Sequence, residues 1–355
     1  MSLKHLVYEI DSAETSSLRT NLRTTILKSL TCQYTIPLVC KLLVHSEEVT
    51  DLTSTNADIT GWYVLVRTDV AVELSHESLA EVMIGCALAY VDAQAYGDDV
   101  FNWLSASLCL LFALVMQIDA NLINDFFDYA HGNDDSATRL GPLRACTQGW
   151  VSLDAMKRAI ALTTCVACVV GLPLIIFGGL EMILVGICCV AFCFLYTTHL
   201  SYLGLGDILV LLFFGIVPVC ITYYIQLHTV TPSVAIASVA CGLVIDSLLI
   251  VNNYRDRDND QRVGKVTLVV RIGPLWTERL YLLLGVASCL LGIVFWYQGH
   301  PLAFFLPLIY LVLHVFTWLK LRHINHGRRL NECLGETARN MLLYGIMVSV
   351  GLLLL

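Results

Sequence analysis

The sequence predicts an all-α, polytopic membrane protein with about nine transmembrane helices, and three observations favour this fold class. Apolar residues make up 57% of the chain and charged residues only 14%, whereas an ordinary soluble domain carries about 25% charged residues. The apolar residues cluster into stretches long enough to cross a bilayer, and basic residues are confined to some of the connections. This composition excludes a disordered chain, a nucleic-acid-binding protein and a small secreted disulfide scaffold.

Eight membrane spans follow from the apolar stretches, since a helix needs about 20 mostly apolar residues to cross the hydrocarbon core. The spans are predicted at residues 101–123, 159–180, 182–203, 208–228, 232–251, 280–297, 300–319 and 337–355. Uncharged polar turns before Pro232 and Pro301 divide the two longest apolar regions. Each of these regions therefore forms a helical hairpin.

A ninth, shorter span is predicted at the apolar run 82–95, which follows a charged stretch. The acids Asp69, Glu73, Glu77 and Glu81 recur there every four residues, so they share one face of a helix. The interpretation we favour is an amphipathic lead-in that lies at the membrane interface. The alternative is that these acids face an aqueous cavity.

The net charge of −8 belongs to the N-terminal part of the chain. Residues 1–100 contain 6 basic and 14 acidic residues, whereas the remaining residues contain 15 of each. We therefore divide the chain into an atypical, partly amphipathic N-terminal segment, residues 1–82, and a membrane domain, residues 83–355. The sequence assigns no role to the N-terminal segment.

The orientation follows from the basic residues. Fourteen of the fifteen basic residues after residue 100 lie in the connections that follow predicted spans two, six and eight, and the fifteenth, Arg339, lies at the start of span nine on the same side. Because Lys and Arg accumulate in cytoplasmic loops, we expect the N-terminus and these loops in the cytoplasm and the C-terminus outside.

Two acidic clusters lie at the cytoplasmic ends of spans two and six. The first contains Asn124, Asp125 and Asp128, and the second contains Asn252, Asp256 and Asp260. Asn124 and Asp128 lie one helical turn apart, as do Asp256 and Asp260, so each pair shares a helix face. The pair Asn124 and Asp128 recurs 128 residues later as Asn252 and Asp256. This repeat indicates a weak internal duplication whose two copies face each other.

The clusters predict a Mg²⁺ and diphosphate site. Mg²⁺ is usually held by a few carboxylates together with substrate phosphate oxygens, and the basic residues Arg139, Arg144 and Lys265 follow the clusters closely. The alternative is that the acids only balance loop arginines, but ionisable groups at membrane depth are costly and usually functional. With an apolar bundle behind the site, we expect a diphosphate that carries a long lipid chain.

The motifs resemble those of the UbiA superfamily of intramembrane aromatic prenyltransferases, and most of all its naphthoate branch. Besides the two clusters, the resemblance rests on the segments 139–144, 156–159, 202–207, 264–268 and 331–340. It covers roughly residues 83–355. The sequence departs from the superfamily at two positions. Gly132 stands where the superfamily has an aspartate, although the naphthoate branch has an acid two residues later, which is Asp134 here. Ser201 stands where the superfamily usually has a basic residue. Arg67 is not assigned to the site.

The resemblance implies a bundle around a central cavity that opens sideways to lipid, in the bacterial cytoplasmic (inner) membrane. It implies Mg²⁺ bound by Asn124, Asp125, Asp128, Asp256 and Asp260, with Arg139, Arg144 and Lys265 neutralising the diphosphate. Polyprenyl diphosphate would donate its chain to 1,4-dihydroxy-2-naphthoate with loss of CO₂, giving demethylmenaquinone. Asp128 and Asp256 would be catalytic through the metal.

A further group of polar residues is assigned to the cavity for the aromatic substrate. Asp246 lies inside span six, and we expect it to face the cavity as a proton acceptor or as a partner of a ring hydroxyl; the alternative is a protonated acid bonded to a neighbouring helix. Asn253 is placed in the same cavity. Asp207 is either a helix cap or a substrate contact, and Tyr196 either lines the cavity or belongs to an interfacial tyrosine belt. Asp119 stays unassigned.

Two other functions remain as alternatives. The first is prenylation of another aromatic acceptor, such as 4-hydroxybenzoate or a chlorophyll or haem precursor, which the segment from Gly141 to Arg158 argues against. The second is a secondary transporter, which should have discontinuous helices near the membrane centre, whereas these acids lie at one rim. The isoprenoid chain length and the oligomeric state stay open.

Overall fold

The computed structural model describes residues 69–94, 100–132, 139–142 and 144–354, with only the backbone for residues 69–75 and for His199. These residues belong to one compact unit, Thr68–Leu355. The predictions for residues 1–68 and for Asp134 lie outside the described residues. The division of the chain at residue 82 stays a prediction.

Within the described residues, the helices form nine consecutive rods, named α1 to α9. They are α1 Asp69–Gln94, α2 Trp103–Ala130, α3 Leu153–Gly171 with a short extension Leu174–Gly178, α4 Glu181–Thr198, α5 Gly206–Leu227, α6 Pro232–Arg262, α7 Leu268–Tyr297, α8 Pro301–Ile324 and α9 Leu330–Leu353. Six of them, α2 and α4 to α8, are long and apolar enough to cross a membrane. The all-α polytopic membrane fold is therefore confirmed, while the count of nine spans stays a prediction.

The outer surface of the bundle is apolar where lipid would surround it. Ile176, Leu180 and Leu184 are exposed around the connection between α3 and α4. Such a continuous apolar surface is unfavourable in water and marks contact with a membrane or a partner. The composition and the surface therefore agree on a multi-pass membrane protein.

Helix α6 is the most buried of the six apolar helices. Gly215 of α5 lies directly against Gly242 of α6, and a Cβ on either residue would meet the other helix. Small residues allow two backbones to approach closely in a membrane bundle. The π-helical segment Leu211–Ile216 of α5 lies at this crossing.

Helix α1 packs along α9 and α5, and the pairings of α9 with α1 and of α6 with α7 are the most extensive in the bundle. Within α1, Ala80 lies directly against Gly345 of α9. Helix α1 begins before the predicted apolar run 82–95, and two of its acids, Glu77 and Glu81, are buried inside the protein.

The two helices that carry the acidic clusters end in the same way. Gly132 follows α2 with a φ of 71°, and Gly264 follows α6 with a φ of 76°. Glycine adopts this left-handed conformation at little cost and commonly ends a helix. The structure thus gives Gly132, the departure from the superfamily pattern, a role as the stop of α2.

Candidate active site

A cavity of about 470 Å³ lies between α1, α2, α4, α5 and α6. Apolar side chains form most of its wall, and Asn124 of α2 and Asn252 of α6 also line it. Because each asparagine belongs to one of the two acidic clusters, the clusters lie at one end of the cavity. This is the arrangement expected for a polar headgroup with an apolar tail.

The first cluster is organised around Arg144. With its amide oriented to satisfy both neighbours, Asn124 donates to Asp128 Oδ2 (3.1 Å) and accepts from Arg144 Nη2 (2.8 Å). Arg144 Nη1 lies 3.6 Å from Asp128 Oδ2. Asp125 points elsewhere, since its Oδ2 accepts the backbone N–H groups of Ala145 (3.0 Å) and Cys146 (3.4 Å). Asp125 therefore anchors the loop that carries Arg144, and its predicted role as a metal ligand stays a prediction.

The second cluster is organised around Arg255, a buried residue of α6 that we did not assign from the sequence. Its Nη2 donates to Asn252 Oδ1 (2.7 Å) and to Asp256 Oδ2 (2.6 Å), and its Nε donates to Asp256 Oδ1 (2.9 Å). Its Nη1 donates to Asn331 Oδ1 on α9 (2.9 Å). One guanidinium therefore holds the second cluster and ties α6 to α9.

Arg255 and Asn331 also hold the loop that follows the first cluster. Asn331 Nδ2 donates to the backbone oxygen of Leu140 (2.8 Å), and a Cβ on Gly141 would lie 2.6 Å from Arg255 Nη2. Arg139 is oriented by donation from its Nε to Pro142 O (2.7 Å). The second cluster thus positions a loop that carries a basic residue of the first. In the sequence, Arg255 stood out only as an arginine within an acidic helix end, and nothing there indicated its contacts with α9 and with the loop at residues 139–142.

Lys265 connects the two clusters electrostatically. Its backbone N–H donates to Asp260 O (2.8 Å). Burial lowers the pKa of Lys265, but the attraction of Asp260 on α6 and Asp128 on α2 outweighs it, so the pKa is raised from its ordinary value. The lysine stays charged at the point where the two helix ends come together.

The donor set fits a hard divalent cation that takes further ligands from a substrate. Asp260 is buried, and its Oδ2 has no hydrogen-bond partner. Asp128 and Asp256 are the electrostatic neighbours of this carboxylate. In the part of the chain that the structure describes, no three His, Cys, Asp or Glu side chains are close enough to enclose a metal. Mg²⁺ is suited to such a site, because it usually combines one or two carboxylates with water and phosphate.

The polar residues assigned to the aromatic substrate separate into two groups. Tyr196 lines the cavity, whereas Asp207, Asp246 and Asn253 are not among the lining residues. Successive residues of an α-helix are rotated by about 100°, so Asp246 and Asn253 lie about 100–120° around α6 from Asn252. Asp207 and Asp246 are electrostatic neighbours of Tyr196, and the expectation that Asp246 faces the cavity stays a prediction. Asp246 is buried, with Asp207 as its electrostatic neighbour.

Two acids of α1 lie in the cavity wall. Glu77 and Glu81 are buried and line the cavity, and Gln117 Nε2 of α2 donates to Glu77 Oε2 (2.7 Å). The interfacial lead-in is therefore wrong for these two residues. They face a cavity, as in the alternative, but its wall is mostly apolar. The reason is that α1 packs inside the bundle against α9 and α5.

Asp119 has a packing role that the sequence did not reveal. This fully buried residue of α2 accepts hydrogen bonds from Thr163 and from Thr164 Oγ1 of α3, the latter at 2.7 Å. The pair of threonines in an apolar span was the available signal. Asp119 therefore joins α2 to α3 outside the candidate site.

Comparison with known proteins agrees with this architecture. Residues 82–333 match the model of the UbiA prenyltransferase family. The 1,4-dihydroxy-2-naphthoate octaprenyltransferase of Escherichia coli is 37% identical over 232 residues, which cover 60% of this chain and 70% of that protein. The protein of the same name from Haemophilus influenzae is 35% identical over 227 residues, 59% of this chain and 70% of that protein.

Solved structures share the fold at low sequence identity. A UbiA homologue from Aeropyrum pernix has a TM-score of 0.59 at 14% identity, over 79% of this chain and 97% of that one. A UbiA homologue from Archaeoglobus fulgidus, solved with DMAPP and Mg²⁺, has a TM-score of 0.51 at 13% identity, over 79% and 99%. On the family match and these similarities, this chain belongs to the UbiA prenyltransferase family and is a membrane prenyltransferase.

Proposed function

We propose that this protein transfers a polyprenyl group from polyprenyl diphosphate to 1,4-dihydroxy-2-naphthoate, with loss of CO₂ and diphosphate, giving demethylmenaquinone. The observation that carries the proposal is that Asn124 and Asn252, one from each acidic helix end, line the same apolar cavity, while Lys265 follows Asp260 and interacts with the carboxylates of both clusters. The relatives from E. coli and H. influenzae, which are named for this acceptor, support it.

The proposed diphosphate site lies between the ends of α2 and α6. Asn124, Asp128, Asp256 and Asp260 would hold Mg²⁺, a choice supported by the A. fulgidus homologue solved with DMAPP and Mg²⁺. The metal would stabilise the charge that develops on the departing diphosphate. Arg139, Arg144 and Lys265 would bind diphosphate oxygens through charge-assisted hydrogen bonds. Asp125 would contribute by holding the loop of Arg144.

The cavity would keep water away from the reacting carbon. Departure of diphosphate leaves an allylic cation on the prenyl chain, and an apolar wall protects such an intermediate until a ring carbon attacks it. We propose that Tyr196 contacts the aromatic acceptor from the wall. Asp207 and Asp246, its electrostatic neighbours, would act on the acceptor through Tyr196.

We further propose that the site opens to the cytoplasm from the inner membrane of a bacterium. The support is that all basic residues after residue 100 lie in, or in the helices beside, the connections predicted on one side of the membrane. Cysteines introduced at Arg144 and at Thr229 of the connection between α5 and α6 should react with an impermeant maleimide from opposite sides of sealed vesicles. Labelling of both from the same side would contradict this topology.

The function is tested with the purified full-length protein, a radiolabelled polyprenyl diphosphate, and either 1,4-dihydroxy-2-naphthoate or 4-hydroxybenzoate, each with Mg²⁺ or EDTA. We expect a prenylated product from the naphthoate with Mg²⁺, no product with EDTA, and release of labelled CO₂ when the carboxylate is labelled. Transfer to 4-hydroxybenzoate alone would assign a different acceptor. Transfer to neither compound would overturn the proposal.

A further inference from the structure

Glu81 brings a buried oxygen without a hydrogen-bond partner into the cavity wall. Among the described residues that line the cavity, it alone has a buried side-chain oxygen, Oε2, with no hydrogen-bond partner. The residue is only 3% exposed. Buried polar atoms in native proteins are nearly always paired, so a ligand that donates a hydrogen bond would complete this site.

The surroundings of Glu81 form a small polar patch. Glu77 lies one turn earlier on the same face of α1, and its carboxylate accepts from Gln117 Nε2 (2.7 Å). All three residues line the cavity. Because Gln117 holds Glu77, the carboxyl group of Glu81 is the one available to a ligand.

The patch lies deeper in the bundle than the diphosphate site. Gln117 and Asn124 both line the cavity from α2, and the seven residues between them correspond to a rise of about 10 Å. A molecule that fills the cavity between these levels would have its reacting end beside the diphosphate and its far end beside Glu81.

The chemistry of the ligands decides which one this acceptor suits. An isoprenoid chain has no N–H or O–H group, and a diphosphate offers negatively charged oxygens that a carboxylate would repel. The hydroxyl groups of a dihydroxylated aromatic are hydrogen-bond donors, and a carboxyl oxygen accepts from them in either protonation state. The donor required at Glu81 therefore belongs to the aromatic substrate.

We propose that Glu81 binds the aromatic acceptor by accepting a hydrogen bond from one of its ring hydroxyls, the one directed away from the diphosphate. The inference rests on the proposed function and adds to it the residue that orients the acceptor ring. Glu77 and Gln117 line the same part of the cavity.

The test compares three compounds that differ only in the hydroxyls: 1,4-dihydroxy-2-naphthoate and the two analogues that each lack one of them. Their dissociation constants are measured by equilibrium titration on the full-length protein in nanodiscs. The wild type should bind one analogue about 10- to 100-fold more weakly than the parent, since a site built around a hydroxyl discriminates against its loss. The other analogue should bind within a few-fold of the parent.

Two variants identify the residue responsible. Glu81→Met keeps the length of the side chain but removes the acceptor, and it should bind the parent as weakly as the discriminated analogue. Glu81→Gln retains an acceptor oxygen and should keep part of the discrimination. Glu181→Gln, at an exposed position in the first turn of α4, is the control and should behave like the wild type. The affinity for polyprenyl diphosphate should not change in any of them.

Several outcomes would overturn the inference. If the wild type binds all three compounds equally, no hydroxyl is recognised. This comparison uses only the wild type and does not depend on the folding of a variant. If Glu81→Met retains the full discrimination, another residue is responsible. Transfer to the parent naphthoate is measured in the same preparation: transfer without hydroxyl discrimination rejects only the role of Glu81, whereas absence of any transfer rejects the proposed function and this inference together.

Discussion

The two acidic clusters share the spacing Asn-x-x-x-Asp, but an arginine from a different place completes each of them. In the first cluster, Arg144 comes from the following loop, lies 3.6 Å from Asp128 and has a side chain that is 19% exposed. In the second, Arg255 comes from the helix itself, lies 2.6 Å from Asp256 and has a side chain that is 2% exposed. The first arrangement can adjust to a ligand, whereas the second is a rigid part of the bundle.

The largest effect on turnover is expected from removing the aspartate that ends the Asn-x-x-x-Asp motif in either cluster. Asp128→Asn and Asp256→Asn should each lower turnover by about 10²- to 10³-fold, the range observed when a group that stabilises transition-state charge is removed. Turnover is measured with saturating substrates and a series of Mg²⁺ concentrations. Asp154→Asn is a suitable control, because this carboxylate is 82% exposed on α3. Wild-type turnover in either cluster variant would remove that cluster from the site.

The next prediction separates the two arginines. Arg255→Met should lower the free energy of unfolding by about 3–5 kcal/mol, because it leaves Asp256 without its partner in a buried network. Arg144→Met should lower it by less than Arg255→Met does, because Arg144 lies 3.6 Å from Asp128 and is more exposed than Arg255, and it should raise the KM for polyprenyl diphosphate. Chemical denaturation in detergent and steady-state kinetics measure both. If the two variants lost the same free energy of unfolding, the second cluster would be no more rigid than the first.

A smaller effect is expected at the point where the first loop meets the second cluster. Gly141→Ala would bring a Cβ to 2.6 Å from Arg255 Nη2, and such overpacking costs about 1–3 kcal/mol. The matched control is Gly186→Ala in α4, where nothing lies within 4 Å of the added Cβ. This control should be neutral or stabilising by up to about 1 kcal/mol. If both variants melt at the same temperature, the loop does not depend on Arg255.

The smallest effect is expected at Asn331, which connects the same loop to α9. Asn331→Ala removes the hydrogen bonds to Leu140 O and from Arg255 Nη1, and it should cost about 1 kcal/mol of stability. Faster hydrogen exchange at residues 139–142, with unchanged exchange in α7, would show the loosening directly. A uniform increase across the bundle would instead indicate a general loss of packing.

The periodicity of the sequence predicted the helices and the pairs within one turn of each other. Asn124 with Asp128, and Asp256 with Asp260, were placed correctly on the ends of α2 and α6 because local helix geometry determines such relations. It did not determine which face a helix presents to the cavity. A single position around α6 separates Asn252, which lines the cavity, from Asn253, which does not.

The sequence by itself determined the membrane fold, the two motifs and the prenyltransferase family, because hydropathy, helix periodicity and motif spacing are all local properties of the chain. The tertiary structure alone decided that Arg255 of α6 meets Asn331 of α9 and that Glu77 of α1 meets Gln117 of α2. These contacts depend on how helices distant in sequence rotate and pack against one another. That packing brought Glu77 and Glu81 of α1, predicted for the membrane interface, into the wall of the cavity.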